Sequence, residues 1–490
     1  MRKVHMVSNL GPSRRSMLST LIAVAGTSLF PQSDPSAQVT GSAPRPFRVG
    51  IPQPKIDRIL TRVREAEWPD RLDASDLRYG VSWDYMRALA DYWTGHFDWR
   101  KSEANLNRYP QFLARVEGYD IHFYYVKGRG PKPLPLVLTH GWPGSVVEFL
   151  DAIGPLSDPA NYGGSPDDAF DVVVPSLPGF GFSSKPIGKP IGRPTVARLW
   201  NRLMTEVLGY PKYCAQGGDI GRLVTVQMAL SHRESLLGVH FNGLFEGRSP
   251  PPEAEQTPGE RAWRRALEAY NATQRDYANI QDHKPQTIAF ALTDNPLGAA
   301  AWIVEKLKGW SDSSDPIEPA FTKDQVLTNI MIYLVTNTMG TSAWMYRGAS
   351  EDRDMLGNVT VPTGYASLPR ENPNANPPRH VLERNYNIVH YTEMPRGGHF
   401  AFWEQPELMV ADVRELPNAA QLSQEVAAGT IPDVLLEARS PSLGAGKTAP
   451  VGSGIPIDMV RSVSIRSSKP ANFGISFEFQ APAAGNADAV

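Results

Sequence analysis

One glycine-rich turn constrains this chain more than any other stretch of its sequence. An apolar segment at residues 213–215 leads into the turn QGGDIG at residues 216–221, and an amphipathic segment follows at residues 223–230. This order predicts a strand, a tight turn and a helix, with Asp219 at the apex of the turn. The flanking glycines permit a strained backbone that larger residues would crowd. The alternative is an ordinary turn in which Asp219 only caps the helix.

Further buried strands are predicted around this turn. Continuous apolar runs occupy residues 134–139, 170–175 and 237–243, and helical segments separate them. Such runs favour a mostly parallel sheet with helices on both faces, which is an α/β fold. Ligand sites in these sheets form at the carboxyl ends of the strands. His140, Asp219 and Glu246 all lie at such ends.

An aspartate at the apex suits displacement chemistry. A carboxylate can attack a saturated carbon, and the resulting ester can then be hydrolysed at its carbonyl. That second step needs a base, and His399 lies on a glycine-flanked loop after the last predicted strand, at residues 387–392. Glu371 follows the preceding predicted strand, at residues 358–366, and would orient the histidine, although Glu246 is a rival for this acid position. The chain order of nucleophile, acid and histidine is that of the α/β-hydrolases.

Composition excludes several other classes of function. A chain of 490 residues with 41% hydrophobic content is ample for a large core. The net charge of −2 offers no electrostatic basis for binding nucleic acid. The 10 histidines show no metal-ligand spacing, so no metal site is predicted. The single cysteine, Cys214, excludes an intrachain disulfide, and its predicted buried strand favours a packing role.

The first 40 residues predict an export signal. Arg14 and Arg15 precede the apolar run 17–26, and a small-residue cleavage site follows at 35–37. The paired arginines resemble the twin-arginine signature of bacterial export, which predicts a periplasmic or secreted protein. A membrane anchor is the alternative, but the run is too short to span a bilayer comfortably. No other stretch of the sequence is long and apolar enough to be transmembrane.

The motifs together resemble those of the microsomal-type epoxide hydrolases, a branch of the α/β-hydrolases that includes juvenile hormone epoxide hydrolases. The resemblance extends from about residue 47 to residue 415. The segments that carry it are WPD at 68–70, HGWPGS at 140–145, GGD at 217–219, KPQT at 284–287, LTDNPLG at 292–298, VPTG at 361–364 and GGHF at 397–400.

This resemblance implies a role for each matching residue. It implies that Asp219 is the nucleophile, Glu371 the acid and His399 the base, and that Tyr277 and Tyr346 are phenols of a cap. A phenol stays protonated at neutral pH and can donate to the alkoxide that forms when an epoxide opens.

The backbone N–H groups of Trp142 and Ile220 would form the oxyanion hole. The expected substrates are a small-molecule epoxide and water, with no cofactor. The family usually carries tryptophan after the nucleophile, so Ile220 is a departure from its pattern. A haloalkane dehalogenase, which uses that tryptophan to hold halide, and a non-catalytic binding protein on the same fold are the alternatives.

The same reasoning divides the chain into segments. Residues 44–115 are expected to form an arm that is helical and turn-broken from Phe47 to about Leu113. Residues 116–246 and 356–416 would form the α/β core, and a helical cap would occupy residues 247–355. Residues 417–490 are rich in Pro, Gly, Ser and Ala and are expected to form a tail. The sequence is compatible with a homodimer.

Overall fold

The computed structural model describes residues 43–72, 77–243, 251–315, 318–371, 376–427, 436–439, 460–469 and 472–479. The predicted export signal at residues 1–40 and the rival acid Glu246 lie outside these residues. None of the described helices is both long enough and apolar enough to cross a membrane.

Nine of the described strands form one central sheet, and the buried apolar runs predict most of them. The strands are β1 (Arg45–Phe47), β2 (Gln111–Val116), β3 (Tyr119–Val126), β4 (Leu134–Thr139), β5 (Phe170–Pro175), β6 (Tyr213–Gly217), β7 (Leu236–Asn242), β8 (Val359–Ser367) and β9 (Tyr386–Glu393). Their order across the sheet is β1-β2-β3-β5-β4-β6-β7-β8-β9. The strands from β5 to β9 pair in parallel, whereas β1, β2 and β3 are antiparallel. The mostly parallel α/β sheet is therefore confirmed.

The two outermost strands at the amino-terminal edge correct the sequence interpretation. Residues from Phe47 to Leu113 were expected to be helical and turn-broken, but β1 pairs with β2 through Phe47 and Gln111. β2 then pairs along its whole length with β3, and Leu113 lies opposite His122. Strand pairing supplies the backbone hydrogen bonds that these short segments could not make alone. The local sequence pattern therefore does not predict these strands.

The first three helices belong to the amino-terminal arm. They are α1 (Gln53–Arg64), α2 (Trp83–Gly95) and α3 (Trp99–Leu106). The helical spacing seen in the sequence is confirmed in α1, which buries Ile56, Ile59 and Val63. The aromatic residues of this arm serve packing, since Trp93 and Trp99 are almost fully buried.

Helices cover both sides of the sheet. Apart from the helices of the amino-terminal arm and those between β7 and β8, the described helices are α4 (Leu150–Ser157), α5 (Arg193–Arg202), α6 (Ile220–Ser231), α13 (Arg379–Glu383), α14 (Ala401–Glu404) and α15 (Pro406–Ala427). α5 packs on α6, which contacts β4, β6, β7 and β8. α4 packs on α15, which contacts β7, β8 and β9.

Helices replace strands between β7 and β8, as the sequence pattern predicts. Those described are α7 (Pro258–Gln274), α8 (Asp276–His283), α9 (Pro285–Thr293), α10 (Pro296–Trp310), α11 (Lys323–Thr336) and α12 (Met339–Glu351). α12 packs against both α8 and α9. Because this insertion leaves the sheet at the carboxyl end of β7, it begins at the edge where sites form.

The carboxyl-terminal helix is tied to the sheet by a buried carboxylate. Asp412 of α15 lies 2.8 Å from His240 Nε2 of β7 and 2.7 Å from His390 Nε2 of β9. Met409, Val413 and Leu416 are buried on the same helix. The helix continues to residue 427, past the segment boundary predicted at 416.

A second, three-stranded sheet lies among the described residues of the predicted tail. It comprises β10 (Leu436–Arg439), β11 (Val460–Lys469) and β12 (Asn472–Phe479), in the order β10-β12-β11. The strand-like sequence at 474–479 falls within β12.

Candidate active site

The turn after β6 places Asp219 at a sharp apex at the start of α6. Its backbone has φ 50° and ψ −124°, a strained conformation for a residue with a side chain. The glycines on both sides are required by close packing. A Cβ on Gly217 would lie 2.2 Å from the backbone of Gly221, and one on Gly221 would lie 1.9 Å from the carbonyl oxygen of Thr139. The predicted elbow is therefore present.

Backbone donors surround the Asp219 carboxylate. The N–H of Trp142 donates to Oδ1 at 2.9 Å, and the N–H of Ile220 also donates to this carboxylate. Burial alone would raise the pKa of Asp219, but His399 and these N–H groups outweigh burial, so its pKa is lowered. The carboxylate is therefore anionic at neutral pH. The structure brings the two predicted oxyanion-hole groups together at the Asp219 carboxylate.

His399 lies between two carboxylates. Its Nδ1 lies 2.8 Å from Glu371 Oε1, and its Nε2 lies 3.3 Å from Asp219 Oδ2. Burial would lower the pKa of His399, but the charges of Glu371 and Asp219 raise it well above its ordinary value. Both loops are held in place, since Arg370 forms a bridge with Gly398 next to these residues. The predicted acid, base and nucleophile are thus in contact.

The predicted tyrosines come from two helices of the insertion. Tyr277 on α8 and Tyr346 on α12 are hydrogen-bonded to each other, and their ring centroids are 5.8 Å apart. The indole of Trp142 stacks on Tyr277 at 5.1 Å and meets Tyr346 edge-on at 6.1 Å. Burial raises the pKa of both phenols, so they stay protonated at neutral pH.

The comparisons with known proteins agree with this geometry. The family described as "Epoxide hydrolase N terminus" matches residues 44–149, and the family "alpha/beta hydrolase fold" matches residues 135–291. Epoxide hydrolase 1 of Sus scrofa is 34% identical over 421 residues, which cover 79% of this chain and 90% of that protein. The chain belongs to the epoxide hydrolase family of α/β-hydrolases.

Solved structures of this family have the same fold. The epoxide hydrolase of Aspergillus niger superposes with a TM-score of 0.69 at 28% identity, over 77% of this chain and 97% of that one. Juvenile hormone epoxide hydrolase of the silkworm Bombyx mori superposes with a TM-score of 0.69 at 26% identity, over 78% and 96%. The resemblance inferred from the sequence motifs is therefore confirmed.

The predicted site residues share a cavity of about 480 Å³. Asp219, Tyr277, Tyr346 and His399 all line it, and Ile220 forms part of its wall. Aromatic rings pack tightly around it, and the indole of Trp310 lies 4.9 Å from the imidazole of His399. The cavity therefore brings the predicted nucleophile, the two predicted phenols and the predicted base around one space.

Glu148 is a site residue that the sequence reasoning missed. It lines a much smaller cavity, of about 10 Å³, together with Asp219 and His399. Its carboxylate occupies the space beside Gly144, where an added Cβ would lie 1.6 Å from Glu148 Oε1. Burial raises the pKa of Glu148 to about 8, although the nearby His399 cation opposes the shift. At neutral pH the carboxyl group is therefore largely protonated.

Glu404 was also missed, and it fixes the histidine loop. Its carboxylate accepts hydrogen bonds from the backbone N–H groups of Asp312, Gly398 and Phe400 at 2.6, 3.1 and 3.0 Å. No short motif predicts this role, because one acceptor serves two separate loops. The result is a fixed backbone on both sides of His399.

Proposed function

We propose that this protein converts an epoxide and water into a vicinal diol through an ester on Asp219. The observation that carries the proposal is the single cavity onto which Asp219, His399 and the paired phenols of Tyr277 and Tyr346 open. An anionic carboxylate facing protonated phenols can attack one end of a C–O bond while the other end is protonated.

Ring opening is the first step. One Asp219 carboxylate oxygen attacks a ring carbon from the side opposite the breaking C–O bond, and an ester bond forms. The ring oxygen departs as an alkoxide and takes a proton from Tyr277 or Tyr346, whose hydroxyls are hydrogen-bonded to each other. The phenolate left behind regains its proton from the His399 imidazolium, which becomes neutral in the next step. Holding both reactants in one cavity lowers the entropic cost of this step.

Ester formation also prepares the base. The Asp219 anion helps to hold the pKa of His399 high, and esterification neutralises that anion. The pKa of His399 then falls, so the imidazole loses its proton and can accept one from water. The resulting hydroxide attacks the ester carbonyl, whose oxyanion the N–H groups of Trp142 and Ile220 stabilise. Collapse of the tetrahedral intermediate breaks the bond between the carbonyl carbon and the diol oxygen. This oxygen takes the proton of the newly formed carboxyl group, so the diol leaves and the Asp219 carboxylate is restored.

We assign the attacking water to the small cavity beside Glu148. Its volume is about that of one water, and Asp219 and His399 also line it. A protonated Glu148 can donate one hydrogen bond to such a water while His399 takes its proton. Glu148→Gln, which keeps a donor, is expected to hydrolyse the ester faster than Glu148→Ala, and rapid-quench decay of the adduct measures both. Equal decay rates in the two variants would contradict this assignment.

The test of the function is a diol assay on aryl and aliphatic epoxides. Wild-type enzyme is expected to release diol, and Asp219→Asn is expected to release almost none, because a neutral amide is a poor nucleophile. Mass analysis must show that the variant has not deamidated. Release of halide from haloalkanes without diol formation would instead favour a dehalogenase, and binding without turnover would favour a non-catalytic protein.

Export of the protein is inferred from the sequence at its amino terminus. The arginine pair Arg14-Arg15 before an apolar run supports this inference. Amino-terminal sequencing of the mature protein from a periplasmic fraction would test it. An uncleaved protein that stays in the cytoplasm would contradict it.

The homodimer stays a prediction, which sedimentation would test.

A further inference from the structure

A buried arginine forms part of the wall of the large cavity. Arg222 lies three residues after Asp219, in the first turn of α6, and both residues line the same cavity. Only 7% of Arg222 is exposed, and the cavity that it lines is the one that contains Asp219. The mechanism proposed above does not use this cation.

Within the described part of the chain, the Arg222 guanidinium lacks the partner that a buried cation normally has. Among the residues that the structure describes, none accepts a hydrogen bond from its side chain or forms an ion pair with it. Asp354 is near enough to feel its charge, but the Asp354 carboxylate accepts its hydrogen bond from Arg193 at 2.9 Å. Buried charges in proteins are normally paired, since an unpaired one loses its hydration without compensation.

The place of Arg222 in the first turn of α6 makes an unpaired cation there still more unfavourable. The first turn of a helix carries partial positive charge, which disfavours an arginine there. Arg193 and Asp354 line the same cavity as Arg222, but these two residues form an ion pair with each other, so the Asp354 carboxylate is already paired. An arginine fork also matches a carboxylate through two parallel hydrogen bonds.

We propose that the Arg222 guanidinium binds a carboxylate carried by the substrate, so that the preferred substrates are epoxides of organic acids. The inference rests on the proposed function, since the same cavity must hold the epoxide ring at Asp219. Arg222 is a positioning residue, because it contacts the acid group and not the ring. Its effect is therefore expected mainly in KM.

The test uses a series of ω-epoxyalkanoates of increasing chain length, each paired with its primary amide. The amide has the same length but no charge. Wild-type enzyme is expected to prefer the acid at the chain length that spans Asp219 and Arg222. In Arg222→Gln, kcat/KM for that acid should fall by about 10- to 100-fold, the value of a charge-assisted hydrogen bond, while the amide changes little.

Two controls accompany this variant. Arg222→Lys keeps the charge and should restore part of the preference for the acid. Arg233→Gln removes an exposed arginine and should leave both substrates unaffected. The amide reports whether each variant is folded and active.

Three outcomes separate the inference from the function on which it rests. Loss of acid turnover alone in Arg222→Gln would support the inference. Equal rates for acids and amides in the wild type at every chain length, or equal losses for both in Arg222→Gln, would overturn it. Absence of diol from every acid, amide and simple neutral epoxide would overturn the proposed function itself.

Discussion

Removing the hydroxyls of Tyr277 and Tyr346 should slow ring opening selectively. The two phenols are hydrogen-bonded to each other, and Trp142 packs against both rings. Replacement by phenylalanine keeps this ring packing and removes only the donor. The change therefore tests proton donation and not the shape of the cavity.

The size of the effect follows from the burial of the site. A hydrogen bond to a charged group contributes about 1.5–3 kcal/mol, so each single variant should open the ring about 10- to 150-fold more slowly. The remaining phenol of the pair supplies the proton in each single variant. The double variant has no such substitute and should lose about 10³-fold or more, although the two losses need not multiply.

Rapid-quench kinetics separate the two steps. Adduct formation on Asp219 should slow in the Tyr277→Phe and Tyr346→Phe variants, whereas decay of adduct already formed should stay near the wild-type rate. Tyr270→Phe is the matched control, because this tyrosine lines the same cavity and has no assigned role. Adduct formation at the wild-type rate in the double variant would refute the reasoning and leave both tyrosines as packing residues.

Four further predictions concern the charged residues. His399→Gln should accumulate the covalent adduct, because only ester hydrolysis needs the base. In Asp219→Asn the pKa of His399, measured by NMR, should fall because the Asp219 anion that raises it is gone. An unchanged pKa would contradict this electrostatic coupling between Asp219 and His399. Glu371→Gln should reduce kcat by orders of magnitude and Glu246→Gln far less, and the reverse ranking in folded proteins would move the acid to Glu246. Asp412→Asn should lower the free energy of unfolding by about 2–4 kcal/mol, measured by urea denaturation at pH 7. Because the pKa of Asp412 is lowered in the folded state, the stabilisation by its carboxylate is present above about pH 4 and is lost as the pH falls. The difference in free energy of unfolding between wild type and Asp412→Asn should therefore shrink in acid. A difference that does not change with pH would contradict this account.

Local sequence was sufficient for much of the fold and of the candidate site. The turn at Asp219 and the glycine-flanked loop at His399 each combine strand, turn and helix signals within a few residues. The tyrosines were assigned only by resemblance, since no local pattern distinguishes Tyr277 or Tyr346 from a packing tyrosine. The structure brings all four residues to one cavity.

The residues that sequence reasoning missed depend on distant partners. Glu148 could not be identified because burial, which raises its pKa, and its place beside Asp219 and His399 emerge only in three dimensions. Arg222 lies one helical turn from Asp219, which periodicity can indicate, but its burial and the pairing of Asp354 with Arg193 emerge only in three dimensions. The strands β1 and β2 are likewise formed by pairing and not by local pattern.

Isotope labelling in a single turnover tests the covalent pathway most directly. Enzyme in excess over epoxide is mixed in water enriched in ¹⁸O, and both the diol and the peptide that contains Asp219 are analysed by mass. The proposed pathway predicts that the diol of the first turnover carries no ¹⁸O, because its new oxygen comes from the Asp219 carboxylate, and that the label enters Asp219 instead. A first-turnover diol that carries ¹⁸O, with Asp219 unlabelled, would show direct attack by water and contradict the pathway.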